Sequence, residues 1–566
     1  MTEPPARPWL KGYPPGIVWD ASFPAHPVTR FLDDSVERFG DRPCLDFLGK
    51  VSTYGEVGDL VRRAAKGFAA LGVRPGVRVG LMLPNTPYYV IAYFAVLRAG
   101  GTVVNINPLY VEREIRQLVA DAGCGIVVTL DLKLTYDVLE TLRDGNPLKT
   151  LVVCPMADIL PFPKDMLYRA LRRRDQAEAP VDETHVAFAA LVDNDGLFEP
   201  PAVDAVRDVA VLQYTGGTTG TPKGAMLSHA NLVANVRQCT AWFPEFKPGE
   251  ERTLAVLPFF HVFAMTVVMN LSISAGAEIV LLPRFELKEL LKTIHRKRPT
   301  SFPGVPTLFT AINNAKHLDR YDLTSIRSCI SGGAPLPVEV KTRFEALTGC
   351  TLVEGYGLSE TSPVVACNPL KGVNKRGSVG LPMPGTVVEI VSTEEPTRVL
   401  GPGERGEVRV RGPQVMLGYW GQPEATADVL KGGALRTGDI GYLDEDGYLF
   451  LVDRIKDVVI AGGYKIYPRL VEEAIFQHPQ VRECIVIGVP DRYRGQTVKA
   501  FVVLREGAHL TAEELTAFLK ERLSPIEMPK LIEFRESLPR TLIGKPSKRV
   551  LEQEEAARAQ GHTPSS

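Results

Sequence analysis

Residues Val209 to Leu212 are apolar and partly β-branched, and the chain leaves them directly into Gln213-Tyr-Thr-Gly-Gly-Thr-Thr-Gly-Thr-Pro-Lys-Gly224. The apolar run predicts a short buried strand. The ten residues from Thr215 to Gly224 then hold four glycines, four threonines and one lysine. Glycines let successive backbone N–H groups turn inward and let a ligand approach the main chain. Such nests bind anions, and the threonine hydroxyls with a lysine add donors suited to a polyphosphate. The stretch is not a Walker A motif, which needs Gly-Lys-Ser/Thr with the lysine opening a helix. Here Pro222 precedes Lys223 and Gly224 follows it.

A loop of this kind needs a strand to leave and a sheet to hang from. Between residues 27 and 200 helical and strand patterns alternate. Val51–Leu71 contains an amphipathic helix, Val77–Leu83 a strand, Tyr88–Ala99 an apolar helix and Gly101–Ile106 a further strand. This alternation predicts an α/β fold with helices covering a largely parallel sheet. Ligands bind such sheets where the strand order switches, and the Thr215–Gly224 loop follows a strand as that rule expects. At 566 residues more than one domain is expected. A formal net charge of −1 argues against nucleic acid as a partner. The eight scattered cysteines form no CxxC or Cys/His cluster, so reduced thiols in a cytoplasmic protein are expected. No signal peptide and no membrane-spanning stretch is legible.

Four further segments carry chemistry. Leu257–Leu271 is almost wholly apolar around one histidine, His261, and no acidic residue appears from Pro258 until Glu278. Such a wall offers no partner to a substrate amino group and suits an aliphatic or aromatic acid better than an amino acid. A lone histidine among apolar residues also reads as a core residue. Ser331-Gly-Gly-Ala-Pro335 reads as a tight turn after Ser328–Ile330, and Glu354-Gly-Tyr-Gly-Leu-Ser-Glu-Thr361 is placed after a strand Thr351–Val353. Glu360 and Thr361 supply a carboxylate and a hydroxyl, oxygen ligands that magnesium accepts beside a nucleotide phosphate. Gly401-Pro-Gly-Glu-Arg-Gly406 matches a dinucleotide fingerprint by letter but precedes a strand, so it is a turn. The fourth segment, Ile159–Arg174, puts Met166, Leu167, Ala170 and Leu171 on one helical face, with Lys164, Arg169, Arg172, Arg173 and Arg174 supplying charge. It reads as a solvated surface helix or subunit contact, and its basic amphipathic character also suits an anionic membrane surface.

From Arg436-Thr-Gly-Asp-Ile-Gly441 and Val452–Asp457 onward, strand pieces alternate with helices at 468–477 and 511–523, as in a small α+β domain. Pro539–Arg549 by itself is a basic surface turn, and the polar run from Glu552 is expected to fray.

Taken in order, these segments resemble the adenylate-forming superfamily from about residue 28 to about residue 552. Within it, Asn105–Tyr110, Gln213–Gly220, Gly412–Trp420 and Lys530–Arg535 are most similar to bacterial long-chain fatty-acid–CoA ligases. The resemblance implies a large N-terminal domain of parallel-sheet subdomains plus a small β-barrel (1–453), a hinge at 454–456 centred on Lys456, and a mobile α+β C-terminal domain (457–566). It implies two half-reactions, in which ATP activates a fatty acid as acyl-AMP with release of pyrophosphate, and coenzyme A then takes the acyl group. By motif, Thr215, Gly216, Gly217, Thr218, Thr219, Gly220 and Lys223 would hold the β- and γ-phosphates. Gly333, Ala334, Pro335, Gly355, Tyr356 and Gly357 would surround adenine. Glu360 would bind Mg2+, Thr361 the α-phosphate, and Asp439 with Arg454 the ribose. Lys545 would bridge the carboxylate and the α-phosphate, with the family's small polar residue before the last Gly-Lys replaced by Ile543. His261, Val262 and Phe263 would line the acyl site, and Gly462, Gly463 and Tyr464 the coenzyme A side. A homodimer and weak peripheral contact with anionic membrane complete the expectations. Ligation of aromatic or short acids, loading of a carrier protein, and nucleotide binding without turnover remain open alternatives.

Overall fold

In a computed structural model of the chain, the described residues are 7–180, 182–215, 222–462, 464–540 and 547–559. They divide into two compact units, Met1–Val387 with Val410–Leu435, and Val388–Arg409 with Arg436–Ser566.

The first unit is built on an eight-stranded sheet. Its order is Gly418–Tyr419, Lys223–Ser228, Val209–Thr215, Thr102–Asn105, Arg78–Met82, Ile126–Leu130, Thr150–Cys154 and His185–Ala187. Neighbours from Val209–Thr215 to His185–Ala187 run parallel. Thr102–Asn105 and Ile126–Leu130 are buried at every position, as strands sandwiched between helices must be. The helix Pro87–Arg98 is buried from Tyr88 through Leu97, which its lack of a polar stripe requires. Tyr54–Ala70 begins at a reciprocal cap: Thr53 Oγ1 accepts from the Glu56 N–H at 3.2 Å and Glu56 Oε2 from the Thr53 N–H at 2.8 Å. The expected α/β alternation is therefore present; the strand read as Val209–Leu212 runs on to Thr215.

A four-stranded sheet, Arg252–Ala255, Glu278–Leu281, Pro43–Phe47 and Lys50–Thr53, completes one side of this unit. Another holds Ser328–Ser331, Thr351–Gly357, Val364–Cys367 and Leu381–Pro382. Parallel bridges from Ser301 to Thr253 and to Ser328 connect the two. The strand Thr351–Gly357 corrects the sequence reading, which ended it at Val353. Gly355 and Tyr356 are ladder residues opposite Cys367 and Ala366. A Gly-Tyr-Gly run looks like a turn, but here glycine serves close approach: a Cβ on Gly357 would lie 2.0 Å from the Pro363 carbonyl oxygen.

In the second unit, Leu449–Arg454 pairs antiparallel with Ala434–Leu443, setting Asp439 opposite Arg454. A further sheet runs Tyr464–Ile466, Val459–Ala461, Gly495–Leu504, Val481–Asp491, with Leu531–Phe534 parallel to Gly495–Leu504. Helices Pro468–Phe476 and Ala512–Leu519 bury Val471, Ile475, Leu515 and Leu519 in one core on this sheet. The small α+β domain is as expected.

As far as residue 559 the C-terminal run does not fray; residues 560–566 lie outside the described ones. Lys548–Ala559 is a helix. Its Leu551 is fully buried with Phe501 and Leu538. Glu555 pairs with Lys499 at 2.9 Å and Glu554 with Arg535 at 2.7 Å. The polar run is polar because it carries the charges that dock it. Leu551→Ala is expected to lower stability by about 2–4 kcal/mol, read as a shifted urea midpoint. A change under about 0.5 kcal/mol would return the segment to the frayed state its composition suggests.

Candidate active site

The apolar stretch begins as a turn at Phe259–His261 and enters a helix whose residues Ala264–Asn270 have π-type bonding. Such wide turns cost hydrogen-bond geometry and are found mostly at functional sites. This one is held from beneath by buried amides. Asn85 Nδ2 donates to the carbonyls of Ala255 (3.1 Å) and Leu257 (2.9 Å), while its Oδ1 accepts from the Phe259 N–H at 2.8 Å. The Tyr89 hydroxyl lies 2.9 Å from the Phe259 carbonyl and 2.6 Å from Asn105 Oδ1. Asn105 Nδ2 in turn donates to Gln213 Oε1 at 2.9 Å, and Gln213 Nε2 donates to the Phe260 carbonyl at 3.0 Å. All four side chains are almost wholly enclosed. Leaving a buried donor or acceptor unpaired costs about 1–3 kcal/mol, so the chain of bonds fixes the turn rigidly.

At its top, His261 is partly exposed. Its Nδ1 accepts from the Phe263 N–H at 3.3 Å, which puts the neutral ring's proton on Nε2. Val262 faces the core and is 1% exposed. The Phe263 ring lies against the backbone of Gly332, where a Cβ would come within 3.2 Å. The same helix reaches a third segment through Thr266 Oγ1, which donates to the Ser362 carbonyl at 2.7 Å. One apolar element thus touches the strand that enters the glycine-rich loop, the turn at 331–335 and the turn carrying Glu360.

Thr215 and Lys223 stand opposite each other in the antiparallel ladder of the large sheet. Gly216, Gly217, Thr218, Thr219 and Gly220 lie outside the described residues. Lys223 Nζ sits 5.2 Å above the Tyr419 ring. The Tyr419 hydroxyl donates to Glu360 Oε1 at 2.8 Å. Burial, then the adjacent Glu360 carboxylate, pushes the Tyr419 phenol far above its usual range, so it stays a donor. The Glu360 carbonyl accepts from the Met416 N–H at 2.9 Å. Lysine, phenol and carboxylate therefore form one row, with the two charges held apart by the ring. Thr361, beside Glu360, is fully buried, and its hydroxyl lies within 3.1 Å of the Leu358 carbonyl.

Gly333 has φ of +79°, a conformation that favours glycine, and with Pro335 it is exposed, while Ala334 is partly covered. The turn is tied down where the Leu336 N–H donates to Glu354 Oε1 at 3.2 Å. Gly355, Tyr356 and Gly357 close the adjacent strand. In the second unit, Arg454 Nε is 2.9 Å from Asp439 Oδ1. Lys456 lies in a short 3-10 turn, Ile455–Asp457, and burial lowers its ammonium below the usual range. Gly462 has φ of +59° and Tyr464 is 59% exposed. Gly463 and Lys545 lie outside the described residues. The Ser547 N–H donates to the Pro539 carbonyl, 2.8 Å away.

Sequence reasoning gave no role to Asn85, Tyr89, Asn105, Gln213 or Tyr419. Asn105, Gln213 and Tyr419 stood inside quoted motifs, and a polar side chain inside an otherwise buried strand was the available signal. A surface cleft lined by Arg42, Glu251, Arg252 and Glu278 does not include these residues. There Arg252 pairs with Glu278 and Arg327 with Glu251, both at 2.6 Å, so its charges are spent on one another.

Residues 32–420 match the model of the AMP-binding enzyme family, and residues 470–545 that of the AMP-binding enzyme C-terminal domain. A long-chain-fatty-acid–CoA ligase of Bacillus subtilis is 47% identical over 555 residues, 97% of this chain and 98% of the relative. One from Escherichia coli O157:H7 is 37% identical over 558 residues, 96% of this chain and 98% of the relative. The crystal structure of an ATP-bound RpMatB-BxBclM chimera superposes with a TM-score of 0.82 at 30% identity, covering 94% of this chain and 99% of that one. With a match over most of its length and full-length relatives well above 30% identity, the chain belongs to the AMP-binding enzyme family.

Proposed function

We propose that this protein is an ATP-dependent long-chain fatty-acid–CoA ligase. The observation that carries the reading is the single apolar element bonded to the strand before the glycine-rich loop and to the turn bearing Glu360 and packed against Gly332, with relatives of that name matching nearly end to end.

In the first half-reaction a carboxylate oxygen of the fatty acid attacks the α-phosphorus of ATP. The bond from that phosphorus to the bridging oxygen breaks, and pyrophosphate leaves. Phosphoryl-type transfer is mostly positioning and charge stabilisation. The Thr215–Lys223 loop, including Thr218 and Thr219, cradles the β- and γ-phosphates. The turn Gly333–Pro335 and the strand end at Gly355–Gly357 flank adenine, and Asp439 with Arg454 takes the ribose hydroxyls. Thr361 lines the α-phosphate side through its backbone turn. His261 borders the acyl carboxylate, with the Phe263 ring behind it. Lys545 neutralises the charge that builds between carboxylate and α-phosphate.

Among the described residues no group of three His, Cys, Asp or Glu side chains could hold a metal ion. Glu360 alone suits Mg2+, which keeps several waters and takes one or two carboxylates beside substrate phosphates. Bound there, the ion would supply positive charge to the phosphate oxygens. Tyr419 orients the carboxylate for this task.

In the second half-reaction the thiol sulfur of coenzyme A attacks the acyl carbonyl. The carbonyl-to-AMP oxygen bond breaks, AMP leaves, and the thiol proton passes to solvent. Lys545 and the thiol need the same approach in turn, so residues 457–566 move about 454–456, and Gly462, Gly463 and Tyr464 then face coenzyme A. Such motions turn on a few residues that absorb the dihedral change.

A surface helix of the chain also meets the source of the substrate. In the helix Lys164–Leu171 no residue is buried. Phe162 is 79% exposed and Leu171 77%, with Met166 and Leu167 also well exposed. Lys164 is spent on the Leu48 carbonyl, while Arg169 pairs with Asp158 and Arg172 with Asp175. Arg173 and Arg174 carry the charge that attracts anionic lipid, and the apolar four enter the interface.

Three outcomes follow from this reading. The specificity constant should rise with acyl chain length by up to about fourfold per methylene until the pocket ends, since each buried methylene contributes about 0.8 kcal/mol. A higher value for acetate or an aromatic acid than for dodecanoate would overturn the substrate class. Glu360→Gln should slow acid-dependent pyrophosphate exchange about 10²-fold, and Tyr419→Phe about tenfold, since a hydrogen bond to a charged group contributes about 1.5–3 kcal/mol. Equal rates to the unaltered protein at limiting magnesium would remove both from the site. Binding to vesicles containing anionic lipid should exceed binding to neutral ones and fall on adding salt; the doubly altered Phe162→Ser, Leu171→Ser protein should lose most of it, and identical partitioning of both proteins would leave a plain surface helix.

A further inference from the structure

Between the strand Leu449–Arg454 and the strand Val459–Ala461 the chain passes through the single short turn Ile455–Asp457. A turn of three residues does not by itself fix what lies on either side of it. Asp453, the last buried residue before the turn, does. Its Oδ1 accepts from the Arg454 N–H at 2.8 Å. Its Oδ2 accepts, also at 2.8 Å, from the N–H of Arg469 in the first turn of the helix Pro468–Phe476. That helix starts at Tyr467, which offers no side-chain cap, so an aspartate from before the turn performs the capping.

The same carboxylate faces Lys548. Its Nζ lies 3.8 Å from Asp453 Oδ1, 3.8 Å from Asp457 Oδ2 and 3.5 Å from Glu472 Oε1. Burial alone pushes the Lys548 ammonium down, yet Glu472, Asp453 and Asp457 together outweigh it and hold it above its usual range. Burial likewise raises the Glu472 carboxyl. Lys548 opens the C-terminal helix, one residue after Ser547, whose N–H donates to the Pro539 carbonyl. Three of the four charged groups, Asp457, Glu472 and Lys548, lie after the turn in sequence. Only Asp453 lies before it. Two exposed ties also cross the turn: Lys465 with Glu394 at 3.3 Å, and Arg405 at 5.8 Å from the Tyr467 ring. Pairs at such exposure contribute little.

We propose that Asp453 and Lys548 form a latch across this turn, and that Lys548, three residues after Lys545 in sequence, is a positioning residue which ties the start of the C-terminal helix to the strand before the turn. Rotation about the turn leaves Asp457, Glu472 and Lys548 together and takes Asp453 away from both Lys548 and the Arg469 N–H. It therefore strips a buried ammonium of one of its three carboxylates and uncaps a helix in the same movement. Breaking a buried pair is costly because it leaves charge uncompensated. The latch thus biases the chain toward the arrangement described here, and its loss shifts the population toward others. The latch rests on the ligase reading only for its effect on the two half-reactions; its existence does not.

Arg454 is half exposed and opens a tryptic site inside the turn. Limited trypsin digestion should cut there at least fivefold faster in Asp453→Asn and in Lys548→Gln than in the unaltered protein. The double variant should be no faster than the single ones, because one latch is lost in each. Glu472→Gln, which alters a carboxylate on the same side as Lys548 and can still accept from the Val486 N–H, should be cut at the unaltered rate. Lys548→Arg should restore slow cleavage. Thermal unfolding of each variant separates faster local opening from global loss of stability. Unchanged cleavage in both single variants overturns the latch, as does equal acceleration in Glu472→Gln. Both half-reactions are then measured in the same proteins. A ratio of adenylation to thioester formation shifted at least threefold, in the same direction in both single variants, supports the latch. Parallel loss of both steps overturns the positioning role. Fast cleavage in the variants, with no acid activated by the unaltered protein, would keep the latch and overturn the ligase reading.

Discussion

The bond from Gln213 to the Phe260 carbonyl is the contact on which the site's form depends. Gln213 stands on the strand that enters the glycine-rich loop, and Phe260 on the turn that carries His261. An amide inside a buried strand is costly unless both its ends are satisfied. Here Asn105 satisfies one end and the turn the other. Because Asn105 is on the neighbouring parallel strand and is itself held by Tyr89, the position of the apolar wall is passed to the centre of the large sheet. The sheet fixes the strand that leads to the loop, and through the amides it also fixes the wall. A second tie, Thr266 to the Ser362 carbonyl, extends the same rigidity to the turn bearing Glu360. Preorganisation of this kind lets donors and charges act without reorganising when charge develops.

Much of this was legible in the letters. Strand Val209–Thr215 announces itself by β-branched residues, and helix Pro87–Arg98 by an apolar run too short to span a membrane. Both patterns depend on residues near in sequence, so periodicity reports them. The loop from Thr215 to Gly224 was read from its glycines; residues 216–221 lie outside the described ones, and only its ends, Thr215 and Lys223, are placed opposite each other in the sheet. The row Lys223–Tyr419–Glu360 was not. It joins three segments far apart in the chain, and no local pattern says that a tyrosine in Gly418–Tyr419 will pair beside Lys223–Ser228. The amides under the wall were hidden for the same reason. The strand Thr351–Gly357 was misjudged because glycine has two uses, turning the chain and letting backbones touch; only the Pro363 carbonyl reveals which one applies at Gly357. The C-terminal helix was misjudged because charge was read as solvation, when Glu554 and Glu555 pair with Arg535 and Lys499 on a sheet.

The two units differ in how they are held. The first relies on wholly buried polar side chains, Asn85, Asn105, Asn235 and Gln238, each satisfied by backbone or by another amide. Neutral amides in a closed interior give a fixed geometry that neither salt nor pH disturbs. The second relies at its joints on charges, Asp453 with Lys548 and Asp439 with Arg454. Charged contacts can separate into water and re-form, because solvent stabilises the parted ions, whereas a buried amide network has no comparable alternative. The division of polar chemistry therefore matches a rigid element that shapes a site and another whose connections can be exchanged.

The π-turns of Ala264–Asn270 carry a consequence for how relatives of such a chain diverge. A π-turn accommodates one residue more than an α-turn over the same height. The wall's facing side chains are therefore set by the length of this segment as much as by its composition. Loss of a single residue would let the helix relax to α geometry, shifting side chains inside the segment by up to about 100° while those beyond it keep their register. Side chains now turned toward the core would rotate into view, and those in view would be buried. Since the flanking amides hold both ends of the wall in place, the rotation would be absorbed locally. Insertion and deletion, rather than substitution, offer the shorter route to a differently lined cavity on an unchanged frame.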